Sequence, residues 1–354
     1  MNNDRIQEIL DLMEEARLDY FLISDPQSIA YCTGYYNDPH ERMFVFMISK
    51  HGNHTLFMND LFYLDHDLDV NIVWHKDGQD AIQTIVDEMH FPGRIGIDKN
   101  WASHFLLDLM KKLPDAKYIN ASPCVDLVRM KKDLQEQVLM IESSKINDAV
   151  MEEIIPFIQE GVTEKQLAKK LDELFFKHHS TCYGAIVAFG KNAADPHHEN
   201  DDTLLRKGDC VLIDMGCVYK GYCSDMTRTF FYEGILEEEI KVYEIVKKAN
   251  EAAEAMIKPG VKLSDIDKCA RKVISDEGYG KYFTHRLGHF IGRDVHEYGD
   301  VSSVNEMEVE EGMIFSIEPG IYLEGNFGVR VEDLVMVTKD GCQVLNSFTK
   351  AIYI

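Results

Sequence analysis

Apolar positions change period along this chain, and the changes divide it. Ile6, Ile9, Leu10 and Met13 fall at helical spacing, and the short apolar run "YFLI" after them reads as a strand. Strand-like runs follow at "MFVFMIS", "HTLFMN" and "VNIVWH", with "KHGN" predicting a hairpin turn between the first two. Helical patterns near 79–89 and 101–112 alternate with "RIGID" and "AKYIN". This predicts an α/β layer ending near "NASPCVD", where Ser122-Pro123 reads as a boundary. The expected domains are residues 1–124 and 125–354.

Beyond the boundary a long helical pattern runs from about 133 to Phe157, and "GVTEKQLAKKLDELFF" opens a second helix with Thr163 and Gln166 as its capping box. After a strand-rich stretch, "EEEIKVYEIVKKANEAAEAMI" and "GVKLSDIDKCARKVI" repeat the order of long helix and short helix. Gly161-Val162 and Gly260-Val261 lie 99 residues apart, as do Leu167 and Ile266, and Leu174 and Val273. The offset predicts an internal duplication, two ααβ halves making one domain. The fold class is α/β in the first domain and α+β in the second.

Composition narrows the function by exclusion. The formal charge is 37 minus 61, or −24, which opposes binding to a phosphate backbone or an anionic membrane. No apolar stretch approaches the length of a membrane span, and the amino terminus lacks a basic-then-apolar signal pattern. Eight cysteines without a C-x-x-C fit a reduced, cytoplasmic protein with mostly buried thiols.

The candidate chemistry lies in two hairpins and one loop. "CVLIDMGCVYKGYCSDMTRTFFY" reads as paired strands. A turn at Tyr219-Lys220 would set Asp214 directly across from Asp225; a turn at Lys220-Gly221 would make them diagonal neighbours on the same face. In "IFSIEPGIYLEGNFGVRVEDLVMV", reflection about Gly325 sets Glu318 opposite Glu332, unless Pro319-Gly320 adds a bulge. A lone aspartate in a strand is ordinarily a solvated position. Two like-charged pairs on apolar strands need cations between them. Between these hairpins, "HRLGHFIGRDVHE" gathers three of the chain's fourteen histidines. Four carboxylates and an imidazole suit a pair of divalent ions, with manganese readily accommodated and cobalt or zinc as alternatives. Two such ions can share a water and lower its pKa, which is a hydrolase constellation.

The series "IDMG", "SDMTRTF", "GHFIGRDVHE", "SIEPGIY" and "GVRVED" resembles the pita-bread metallopeptidases, which include proline dipeptidases, proline-specific aminopeptidases and methionine aminopeptidases. The resemblance covers residues 125–354 and implies a duplicated pita-bread domain behind an N-terminal α/β domain. It implies Asp214, Asp225, His289, Glu318 and Glu332 as ligands of two divalent metals. It also implies that His285 and His296 stabilise the tetrahedral intermediate, that His197 is a further cleft histidine, and that Tyr322 and Arg330 lie beside the substrate. The implied reaction is hydrolysis of an Xaa-Pro bond, preferably in dipeptides, by a metal-bridged hydroxide with Glu318 as proton shuttle. Arg330 or Arg293 would hold the free carboxylate of a dipeptide, and family habit implies a homodimer. "HRLGH", in place of "HGTGH", resembles the bacterial proline dipeptidases more than the aminopeptidases. Two positions depart from the pattern: Phe290, where a small residue is usual, is expected to crowd the cleft or move the loop, and His198 replaces a small residue. The rival readings are a proline-specific aminopeptidase acting on longer peptides, a metal-free creatine amidinohydrolase, and a metal-free binding protein on the same scaffold. The last two lack the metal ligands that this chain has.

Overall fold

The computed structural model describes residues 1–90 and 92–352. Two compact units divide between Arg129 and Met130. Residue 124, the junction expected from the sequence, lies in the first turn of helix Pro123–Met130, and the units part at its other end.

The first unit is a six-stranded mixed sheet. Its strands are β1 (Tyr20–Ile23), β2 (Val45–Ser49), β3 (Thr55–Asn59), β4 (Asn71–His75), β5 (Arg94–Ile97) and β6 (Lys117–Asn120), in the order β4-β3-β2-β1-β5-β6. β2 and β3 form the antiparallel hairpin that "KHGN" predicts. Side chains alternate between two cores as a strand requires. Phe21, Ile23, Phe46 and Ile48 pack with Ile6, Ile9 and Met13 of the first helix. Tyr20, Leu22, Val45 and Met47 face Ile82, Ile85 and Leu109 on the other side.

The second unit repeats itself. Helices Leu134–Ile154 and Glu164–Lys177 are followed by strands, and so are helices Glu237–Met256 and Leu263–Asp276. The two shorter helices have 14 residues each and start at positions 164 and 263, the offset seen in the sequence. The Thr163/Gln166 capping box forms as predicted. Isolated bridges Thr163↔Leu204 and Lys262↔Glu308 open the two short helices in the same way. Leu167, Leu171 and Phe175 pack with Val150 and Ile154 against Val187, Val211 and Ile213 of the first half's sheet. Among the described residues, no helix is long and apolar enough to cross a membrane.

Candidate active site

The two carboxylate hairpins of the second unit form in registers that the sequence allows one to count. In the first, Val218 pairs with Cys223 and Tyr219 with Tyr222, so the turn is Lys220-Gly221. Both turn residues have positive φ, 49° and 82°, as a two-residue turn matched to strand twist demands. Asp214 therefore pairs with Thr227, and Asp225 is its diagonal neighbour. In the second, Gly320 pairs with Arg330 and Leu323 with Phe327, while further out Ile317 pairs with Asp333. The count about Gly325 runs through without a bulge, and Glu318 faces Glu332.

At these carboxylates the ladder opens. The Glu332 amide leaves its own hairpin and donates to the Thr227 carbonyl at 3.1 Å, while the Glu318 amide donates to the Leu287 carbonyl at 2.8 Å. The first bond joins the two hairpins; the second joins the glutamate hairpin to the histidine loop. His289 ends the short strand Gly288–His289, and its amide donates to the Ser316 hydroxyl at 3.0 Å. Gly288 permits this approach, because a Cβ there would lie 1.9 Å from the Ser316 carbonyl oxygen.

The carboxylates converge on a cavity of about 510 Å³ lined by Asp214, Asp225, His289, Glu318 and Glu332. His197, His285, His296 and Arg330 line it too, as do the apolar Ile186 and Val295. Ligand atoms of Asp225, His289 and Glu332 lie within 4.8 Å of one another, and all three residues are buried. His289 Nε2 is 3.6 Å from Asp225 Oδ2 and 3.6 Å from Glu318 Oε1. Asp214 is held by Arg330 Nη2 at 2.5 Å.

Burial and mutual repulsion dominate the electrostatics. Desolvation, then the charges of Asp214 and Glu318, push Asp225 well above the usual carboxylate range. Glu332 is raised likewise by burial and then by Asp225. Burial lifts Glu318 to about 7, with Arg330 pulling against the rise. Burial also lowers His289 to about 3, so its ring is a neutral donor atom at physiological pH. These donors fit divalent cations: buried oxygens that cannot all ionise by themselves, with one neutral imidazole among them.

The surrounding side chains are tied together. Arg330 donates to the Thr227 hydroxyl at 3.0 Å, the Tyr322 hydroxyl at 3.0 Å and the Pro196 carbonyl at 3.4 Å, besides Asp214. His285 faces the cavity with both ring nitrogens engaged: Nδ1–H donates to the Arg286 carbonyl at 2.7 Å, which leaves Nε2 to accept from the Tyr322 hydroxyl at 2.9 Å. The exposed His296 packs its ring edge-on to His289, with centroids 4.3 Å apart.

Some expectations meet a different arrangement. Phe290 does not crowd the cleft; it is wholly buried, packs on Phe315 with ring centroids 5.3 Å apart, and does not line the cavity. His198 turns away from the carboxylates and meets the Glu164 carboxylate at 2.7 Å. Glu164 also accepts from the amides of Phe189 and Asp201 and from the Asn192 side chain, so this buried group anchors a loop. Arg293 lies over the Tyr222 ring beside Gly221 and does not line the cavity.

Three contributors were not singled out in the sequence. Tyr183 lines the cavity, and its hydroxyl donates to the Ser224 carbonyl at 2.8 Å beside Asp225. Gly216 makes room for it, since a Cβ there would meet the Tyr183 hydroxyl at 1.9 Å. Glu297 closes the histidine loop through the Arg293 amide at 2.9 Å and a buried ion pair with Lys132 at 2.9 Å. Arg286 lines the cavity, although it stands inside the quoted motif. The glycine of "IDMG" was the available signal for Tyr183.

Known proteins share this fold. Residues 138–339 match metallopeptidase family M24, and residues 5–131 match the Creatinase/Prolidase N-terminal domain. An uncharacterized peptidase of Staphylococcus aureus is 34% identical over 355 residues, covering 98% of this chain and 99% of the relative. The crystal structure of a dipeptidase from Pyrococcus horikoshii superposes with a TM-score of 0.92 at 35% identity, covering 99% of both chains. The Xaa-Pro dipeptidase from Bacillus anthracis gives 0.92 at 28% identity, again over 99% of both. With a family match over most of the second unit and relatives that span the whole chain, this protein belongs to metallopeptidase family M24 and is a metallopeptidase with a Creatinase/Prolidase N-terminal domain.

Proposed function

We propose that this enzyme is an exopeptidase that hydrolyses the Xaa-Pro bond of dipeptides, with Asp214, Asp225, His289, Glu318 and Glu332 holding two divalent ions. The observation that carries this reading is the convergence of those five donors on one cavity that also has apolar and imidazole walls. Manganese suits a site of four carboxylates and one imidazole, with cobalt or zinc as alternatives. Bound divalent ions supply a water of lowered pKa and polarise a carbonyl oxygen.

The chain's own residues do the rest. Glu318, on the cavity wall beside His289, would accept a proton and return it to the departing proline nitrogen. His296 offers a ring N–H to the developing oxyanion, and partial desolvation holds its pKa below the usual histidine value. His197 adds a further imidazole to the cavity wall. His285, with both nitrogens engaged, orients Tyr322, Tyr322 accepts from Arg330, and Arg330 in turn orients Asp214. We place the enzyme in the cytoplasm as a homodimer, a setting consistent with eight free cysteines.

Steady-state kinetics of the manganese-loaded enzyme test the reading. Ala-Pro is expected to be hydrolysed at least about a hundredfold more efficiently than Ala-Pro-Ala, since an extended substrate must bury a neutral peptide group where a carboxylate belongs. Similar efficiency for both would make the enzyme a proline-specific aminopeptidase. Cleavage of Ala-Ala but not Ala-Pro would end the proline assignment.

A further inference from the structure

A dipeptidase needs a cation for the carboxylate beside the scissile bond. Arg330 is 3% exposed and its guanidinium is already spent on Asp214, Thr227, Tyr322 and Pro196. Taking a substrate carboxylate would strip Asp214 of its buried partner, which is costly. Arg293 does not reach the cavity wall. Among the described residues, no lysine lines the cavity.

Arg286 differs on each count. It lines the cavity, is exposed, and has no hydrogen-bond or ion-pair partner for its guanidinium among the described residues. Its backbone, by contrast, is fixed on both sides. The His285 carbonyl accepts from Arg271 Nη2 at 2.9 Å, and the Leu287 amide donates to Asp267 Oδ1 at 3.2 Å. Arg271 and Asp267 are themselves joined by two hydrogen bonds of 2.9 Å, and Asp267 is fully buried in helix Leu263–Asp276. The Arg286 carbonyl holds the His285 ring. An unspent guanidinium on a rigidly held backbone, facing a cavity, is preorganised for a bidentate carboxylate.

Resting on the dipeptidase reading above, we propose that Arg286 binds the C-terminal carboxylate of the substrate and sets the chain-length limit of the enzyme. A dipeptide offers the guanidinium an anion, whereas a tripeptide or an amide offers only a neutral group. Arg286 is a specificity-determining residue and takes no part in bond cleavage.

The experiment compares Ala-Pro with Ala-Pro-amide in the metal-loaded wild type, Arg286→Ala and Arg286→Lys. Wild type is expected to favour the free acid by about a hundredfold, as loss of a charge-assisted hydrogen bond implies. Arg286→Ala should bring that ratio to within a fewfold of one by losing efficiency on the acid alone, with Arg286→Lys in between and bound metal unchanged. L-Proline should inhibit Arg286→Ala at least tenfold more weakly than wild type, while inhibition by prolinamide stays the same. An Arg286→Ala variant that keeps the wild-type acid preference overturns the proposal, and so does a wild type that does not distinguish acid from amide. If wild type cleaves Ala-Ala but not Ala-Pro, the proline reading fails, and Ala-Ala against its amide tests Arg286 in its place. A wild type that cleaves no free-acid dipeptide overturns both.

Discussion

Thr227 and Glu332 hold each other at two points: the Glu332 amide donates to the Thr227 carbonyl at 3.1 Å, and the Thr227 hydroxyl donates to Glu332 Oε2 at 2.6 Å. Thr227 is fully buried and also accepts from Arg330 Nε at 3.0 Å. One hydroxyl therefore orients both Glu332 and the Arg330 side chain. Replacing Thr227 by valine keeps its shape and removes the hydroxyl. Metal affinity, read by calorimetric titration, is expected to fall roughly ten- to a hundredfold, as for other groups that orient ligands. Thr227→Ser should retain most of it. Unchanged affinity in the valine variant would show that the backbone bond alone positions Glu332.

Asp225 lies at the most crowded point of the carboxylate set. Asp225→Asn should abolish turnover and lower bound metal well below wild type by elemental analysis. The same change should raise the melting temperature of the chelated protein, because an amide is neutral without first taking up a proton, as the buried Asp225 carboxyl must beside Asp214 and Glu318. Full metal occupancy together with normal turnover would remove Asp225 from the ligand set.

His296 gives the opposite pattern. It is exposed on the cavity wall and packs its ring edge-on to His289. His296→Ala should keep its metal and lose roughly a hundredfold in turnover, the usual effect of deleting an oxyanion donor. If the variant loses its metal instead, His296 is a ligand.

Away from the site, Glu254 shares Lys350 with Asp333, at 3.0 Å and 2.8 Å. Burial, then the Asp333 charge, lifts Glu254 to about 7. A carboxyl whose folded pKa exceeds its unfolded value contributes stability below the unfolded value, and that stability is lost as pH rises through the folded one. Urea unfolding of the metal-saturated protein should therefore show a loss of about 1 kcal/mol between pH 6 and pH 8. Glu254→Gln should flatten that slope. A wild-type profile already flat over this window would mean that Lys350 keeps Glu254 ionised throughout.

Much of this arrangement can be read from spacing alone. Strand pairing has a period of two, so a hairpin centre decides which side chains share a face, and Gly325 marks the centre of the second hairpin. The first hairpin has two plausible centres, and the choice between them rests on φ values that a Lys-Gly pair adopts more readily than a Tyr-Lys pair. Phe290 illustrates where such counting stops. It lies in an irregular segment with an isolated bridge to Phe315, and no periodicity tells whether its ring turns to the cavity or to the core. Tyr183 and Arg286 were missed for a related reason. Each reaches the cavity from a loop, where tertiary packing decides direction.

The departure of the Glu318 and Glu332 amides from their own hairpin bears on how the site breathes. Fraying of a hairpin ordinarily frees its residues pair by pair, at a cost well below that of unfolding the whole protein. Here each glutamate is stitched to a different neighbour, one to the segment that carries Thr227 and one to the segment that carries Leu287. Opening the glutamate hairpin alone leaves both backbone positions in place, and opening either neighbour frees only one. Full exposure of the pair requires all three segments to come apart together. A cation held between these glutamates would then escape on the timescale of a large cooperative opening, slower than the local flicker of any one strand.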